Sequence, residues 1–82
     1  MDVPIEHAVA VRRRAGTVVT LVNQGAQDVY FSTDPNRLNT VPAGTVPDGT
    51  KIANGGGWFQ WPNFPGVVWV RAAVAAKIEV IS

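Results

Sequence analysis

Eight glycines and six prolines are spread along 82 residues so that few stretches of ten escape a breaker. A long helix has nowhere to form. Between the breakers valine and threonine dominate, and both fit the pleated, half-buried surface of a strand. Seven strands are predicted: Ala8–Arg13, Thr17–Asn23, Asp28–Thr33, Thr50–Ala53, Trp58–Trp61, Val67–Ala73 and Lys77–Ile81. Short strands with turn signals every 8–12 residues read as an all-β antiparallel sandwich or barrel.

The turns sharpen that reading. Asn23-Gln24-Gly25-Ala26 reads as a hairpin with Gly25 at positive φ. Asp34-Pro35-Asn36 opens a turn with proline in its favoured place. The repeat "VPAGT" (41–45) and "VPDGT" (46–50) reads as two β-turns, each with Pro second and Gly closing. Residues 34–50 are therefore mostly a long central loop, and long loops in small domains are functional or docked. Residues 1–14, with Pro4 near the start and arginines at the end, read as an N-terminal arm on a sandwich of residues 15–82.

A chain this short buries only about 60–65% of its unfolded surface, so its core needs a staple. There is no cysteine, and one histidine, His7, cannot hold zinc alone. Oligomerisation or docking on an assembly is the staple that remains. Charged residues make up 16% against the usual quarter, with 46% apolar residues, which points the same way. A net charge of +1 carries no nucleic-acid footprint. No run approaches the roughly 18 apolar residues a membrane span needs. The start is acidic, and its basic run follows the apolar stretch, unlike a signal peptide. The expected site of synthesis and first use is a cytosol.

Chemistry finds little purchase. In "GTVPDGTK" Lys51 follows Thr50, where a phosphate loop needs the reverse order. "ANGGGW" (53–58) has no helix behind it to hold a phosphate and reads as a turn. A Ser–His–Asp site would have to join His7 to Ser32 or Ser82, and nothing draws them together. The chain is expected to be no enzyme and to hold no cofactor or metal. Arg12, Arg13 and Arg14 form the one charge run, better suited to an acidic protein surface or solvent than to nucleic acid.

The stretch "WFQWPNFPGVVW" (58–69) holds all three tryptophans. It supports three readings: a protein interface, a core, or a sugar platform in which Trp58 and Gln60 share a face with Asn63 and Arg71 nearby. Strand parity divides it. With Val29, Phe31, Val68, Val70, Ile78 and Val80 in the core, Trp69 and Arg71 point outwards with Lys77 and Glu79. With Phe59 and Trp61 inwards, Trp58 points outwards. Phe64 stands between two prolines in a rigid loop. Outward tryptophans on a charge-poor domain mark an interaction site. The partner-binding residues expected are Arg12, Arg13, Arg14, Trp58, Phe64, Trp69 and Arg71. In Thr17–Asn23, Val18 and Val22 share one face and Val19 and Leu21 the other, so a neighbouring chain is expected to cover one of them.

"TVVTLVNQGAQDVYFSTD", the glycine-rich "NGGGWFQW" and "GVVWVRAAVAAKIEVIS" together resemble the small β-sandwich proteins encoded among bacteriophage head genes. The matching positions are Asn23, Gly25, Asp28, Val29, Tyr30, Arg71, Ala72, Ala73, Ile78 and Val80, across most of residues 17–82. "WFQWPNFPG" departs from that family's polar strand and short loop. The resemblance implies a virion structural protein, a capsid decoration (cement) subunit on the shell surface. It would be assembled in the host cytoplasm, with the major capsid protein as partner and a homo-oligomer, trimeric on a local three-fold axis, as its form. A tail or fibre component and a carbohydrate-binding module are the alternatives.

Overall fold

The computed structural model describes all 82 residues and contains nine strands and one helical turn. The strands are β1 (Asp2–Val3), β2 (Val9–Arg12), β3 (Val19–Asn23), β4 (Val29–Ser32), β5 (Thr50–Ile52), β6 (Gly57–Trp61), β7 (Val67–Arg71), β8 (Ala76–Lys77) and β9 (Glu79–Ile81). The helical turn, α1, is Pro35–Leu38. One sheet has the order β2-β7-β4-β5 and the second β6-β3-β9, while β1 and β8 form a small ribbon. Every pairing is antiparallel. The sheets pack as a small β-sandwich, the fold class the breaker pattern predicts.

Alternation fills the space between the sheets. β7 contributes Val68 and Val70, β4 Val29 and Phe31, and β3 Val19 and Leu21, all buried. Val11, Ile52, Ile78, Ala72 and Phe64 join them, and Val80 packs against the cluster half-buried. Val18 and Val22 are thus turned away from the core, which resolves the doubly apolar strand.

The Asn23–Ala26 turn is not a hairpin. β3 and β4 lie in different sheets, so the turn carries the chain across the sandwich. Gly25 is not among the glycines of positive φ. Asn23 makes the crossing, fully buried: its Oδ1 accepts from Gly25 N at 3.1 Å, and its Nδ2 donates to the carbonyls of Gln27 and Ile52 at 2.7 and 3.0 Å. A buried amide with its donors and acceptor paired is a fold determinant. The 53–56 turn crosses back from β5 to β6, using Gly55 and Gly56 at φ +74° and +116°.

Residues 1–14 are not an arm. Val3 and Val11 are buried in the core, β2 pairs along β7, and β1 pairs with β8. The arginine run and Pro4 suggested a loose segment, but the apolar alternation of Val9 and Val11 prevails. One strand runs beyond its expected unity: Lys77–Ile81 is broken at Ile78 into β8 and β9.

The long loop is docked. Asp34 caps α1 by accepting from Asn36 N, with Pro35 at the first helical position. Leu38 and Pro47 are buried. Gly49 lies so close that a Cβ there would stand 2.6 Å from Leu38 Cδ2 and 2.7 Å from the Phe31 carbonyl oxygen. In the first repeat the turn runs from Pro42 to Thr45, with Gly44 at φ +86° in its third position, one residue later than expected.

That docked loop explains Arg71. Parity does put it on the outer face of the first sheet, opposite Tyr30. The loop and residues 4–8 cover that face, however, and Arg71 is 1% exposed. Its Nε and Nη2 donate to the Ile5 carbonyl at 3.0 and 2.9 Å, and Nη2 also donates to that of Glu6 at 3.2 Å. Nη1 donates to the carbonyls of Leu38 and Val41 at 2.7 and 2.9 Å. All five guanidinium N–H groups are thereby used. Asn39 Oδ1 accepts from Ala8 N at 2.8 Å and closes the same layer. Arg71 is a tie between three segments, so its expected place among surface residues is corrected.

Candidate protein-binding surface

The outer face of the second sheet is the least covered apolar surface. Register sets two rows across it. Val22 lies between Trp58 and Glu79, and Thr20 lies between Gln60 and Ile81. Val18 continues the face just before β3. Trp58 is 67% exposed, with Val18 and Ile81 also more than half exposed. Gln60 Nε2 donates to Thr20 Oγ1 at 3.0 Å, which fixes the middle of the face. Glu79 is the one charged side chain in the two rows.

Behind this face the aromatic stretch divides as parity predicts. Phe59 and Trp61 turn towards Phe31, with ring centroids 4.7 and 5.0 Å away. Trp61 also meets Phe64 edge-on at 5.5 Å. The Trp61 contacts with Phe31 and Phe64 are edge-to-face, and such contacts add to the area the rings bury. Phe64 is 1% exposed, so its expected partner role is corrected: the prolines beside it aim its ring into the core.

The other expected residues are not gathered with Trp58. Trp69 is half-buried on the outer face of the first sheet, between Ala10 and Ser32 in register. It faces away from Trp58 across the sandwich. Arg12, Arg13 and Arg14 are exposed at the end where the chain enters β3. Their loop is laced to residues 64–66 through Arg13 N to the Gly66 carbonyl (3.2 Å) and Gly16 N to the Phe64 carbonyl (2.8 Å). None of the three is in an ion pair; the pairs present are Arg37–Asp48 and Lys77–Asp2, both exposed. The apolar residues of this face that sequence reasoning did not single out as binding residues are Val18, Val22 and Ile81. Their signal was present, in the second apolar face of β3 and in the alternation of β9.

A shallow cleft of about 570 Å³ lies between the β1–β8 ribbon and residues 25–27. Its lining includes Val3, Pro4, Ala75 and Ala76, with the exposed Asp2–Lys77 pair beside them. No cluster of three metal-ligating side chains occurs, and no buried side-chain polar atom lacks a partner. Near the 53–56 turn, Asp28 Oδ1 accepts from both Asn54 N and Asn54 Nδ2 at 2.9 Å. The backbone bond chiefly holds its carboxyl below the ordinary 3.8. Burial pushes the Tyr30 hydroxyl up, aided by the Asp28 charge. Both effects belong to the turn and its support.

Comparisons with protein-family models, with curated proteins and with solved structures each gave no match.

Proposed function

We propose that the chain is a non-enzymatic structural protein that attaches to a protein assembly through the outer face of the β6-β3-β9 sheet. The observation that carries this reading is Trp58, two-thirds exposed beside Val22 in a face with one charge. A large ring held rigidly on a strand binds at low entropic cost, and such rings dominate interface energies. The assembly that the sequence resemblance implies is a phage capsid, with the chain as a decoration subunit on the major capsid protein. The arginine run at the end of the sandwich suits an acidic rim on that partner. Binding would stabilise the shell by mass action, in proportion to occupancy.

A sugar platform finds less support. It calls for two rings in one plane, whereas Trp58 and Trp69 belong to opposite outer faces.

Shells lacking the subunit, mixed with the purified chain, test the reading by co-sedimentation and by the melting temperature of the shell. Trp58→Ala is expected to weaken attachment about 30-fold, the equivalent of about 2 kcal/mol, with the melting temperature of the free chain unchanged. Attachment of the variant as tight as the parent's would refute the face, and binding to a glycan array would refute the class of partner.

A further inference from the structure

In the two larger sheets four strands lie at the margins: β2 and β5 in the first, β6 and β9 in the second. A margin strand offers unpaired N–H and C=O groups, and soluble proteins blunt it with charge, proline or brevity. Three of the four are blunted. β5 is three residues long with Lys51, β9 is three residues long with Glu79, and β2 ends in Arg12. β6 is five residues, GWFQW, with neither charge nor proline. The backbone of residues 58–61 makes no hydrogen bond outside its ladder with β3.

Phe59 is the second observation. Its ring faces inwards, 4.7 Å from Phe31 and 4.5 Å from Trp61 between centroids. It is nevertheless 38% exposed, because no strand flanks it on the far side.

We propose that β6 pairs with the same strand of a second copy, antiparallel about a two-fold axis through Phe59. The two three-stranded sheets become one of six strands. Inner faces must meet inner faces, so opposed residues share parity, and only the register centred on Phe59 pairs all five. Trp58 then lies opposite the partner's Gln60, and Phe59 meets the partner's Phe59, extending the aromatic cluster across the joint. Charge commits the margin to a second copy. β6 is neutral at every position, so two copies meet without opposed like charges, whereas β5 paired in this way would set Lys51 against Lys51. The contact is isologous and uses up both β6 margins, so it closes at two. It replaces the three-fold oligomer implied by resemblance, and it concerns the free chain, independently of attachment to any shell.

Sedimentation equilibrium of the full chain, with no shell present, tests it. The parent is expected at twice the 8.8 kDa of one chain. Trp58→Lys with Gln60→Lys puts like charges opposite one another at both ends of the joint and is expected at the mass of one chain. Trp58→Glu with Gln60→Lys puts opposite charges there and is expected to pair again. Amide exchange at residues 58–61 of the parent should slow as concentration rises. A parent that stays single at every concentration, a three-fold parent, a double-lysine variant as heavy as the parent, or a Glu/Lys variant that stays single would each overturn the proposal. If the double-lysine variant fails to fold by circular dichroism, exchange in the parent decides: rates at 58–61 indifferent to concentration overturn it.

Discussion

Replacing Arg71 by methionine keeps most of the side-chain volume and removes every donor. Four carbonyl oxygens, of Ile5, Glu6, Leu38 and Val41, then face a thioether. The bond to Leu38 is buried outright and the others partly so. A buried acceptor left unpaired costs about 1–3 kcal/mol, and one that regains water costs less. Relief from desolvating a guanidinium offsets part of this. A net loss of about 3 kcal/mol is expected, a large share of the roughly 4–12 kcal/mol that a domain of this size holds. In a small domain each kcal/mol moves Tm by about 4–8 °C, so the melt should fall by roughly 12–24 °C. Arg71→Lys, with one ammonium for a planar fork, should fall between the two. Thermal unfolding followed by tryptophan fluorescence reads the loss, and amide exchange should localise the loosening to residues 4–8 and 38–41. A methionine variant that melts within a few degrees of the parent would refute the role of Arg71 as a tie.

Deleting residues 1–14 removes Val3, Val11 and the β2 margin, and should leave a chain with no cooperative melt by circular dichroism. Phe64→Ala should cost about 3–5 kcal/mol of stability in a denaturant titration, since its buried ring leaves a cavity beside Trp61. Asp28 has a folded-state pKa below its unfolded value, so its contribution is present above the unfolded value and is lost as pH falls through the folded one. Amide protection in the 53–56 turn, taken relative to the intrinsic exchange rate at each pH, should therefore fall at acid pH, and Asp28→Asn should remove that loss.

Much of this molecule can be read from spacing. Strand-favouring runs between breakers locate every strand but β1, with β8 and β9 read as one, and parity sends Trp58 outwards and Phe59 inwards. What spacing misses is whatever a third layer decides. Arg71 lies on the outer face that alternation assigns, but alternation says nothing about a loop folded over that face. The cover depends on Leu38, Pro47 and Gly49, residues whose local pattern reads only as turn. The same limit hides the crossing at Asn23, because an Asn-containing turn looks alike whether the next strand pairs beside the last or faces it across the core. Residues 2–3 form a strand only because Ala76 and Lys77 are there to receive them.

The path of the chain between sheets has a consequence in time. During folding β3 and β6 close a shorter stretch of chain, their paired residues lying 34 (23 to 57) to 42 (19 to 61) positions apart, than β2 and β7, whose paired residues lie 55 (12 to 67) to 61 (9 to 70) apart and complete the opposite wall. For that interval Phe59 and Trp61 belong to a two-stranded ribbon with half a core behind it. Contacts this distant in sequence form slowly, and a half-closed sheet exposes its aromatic side to other folding copies. The later closure thus leaves the most adhesive part of the protein waiting for its cover, and folding at low protein concentration favours the native state.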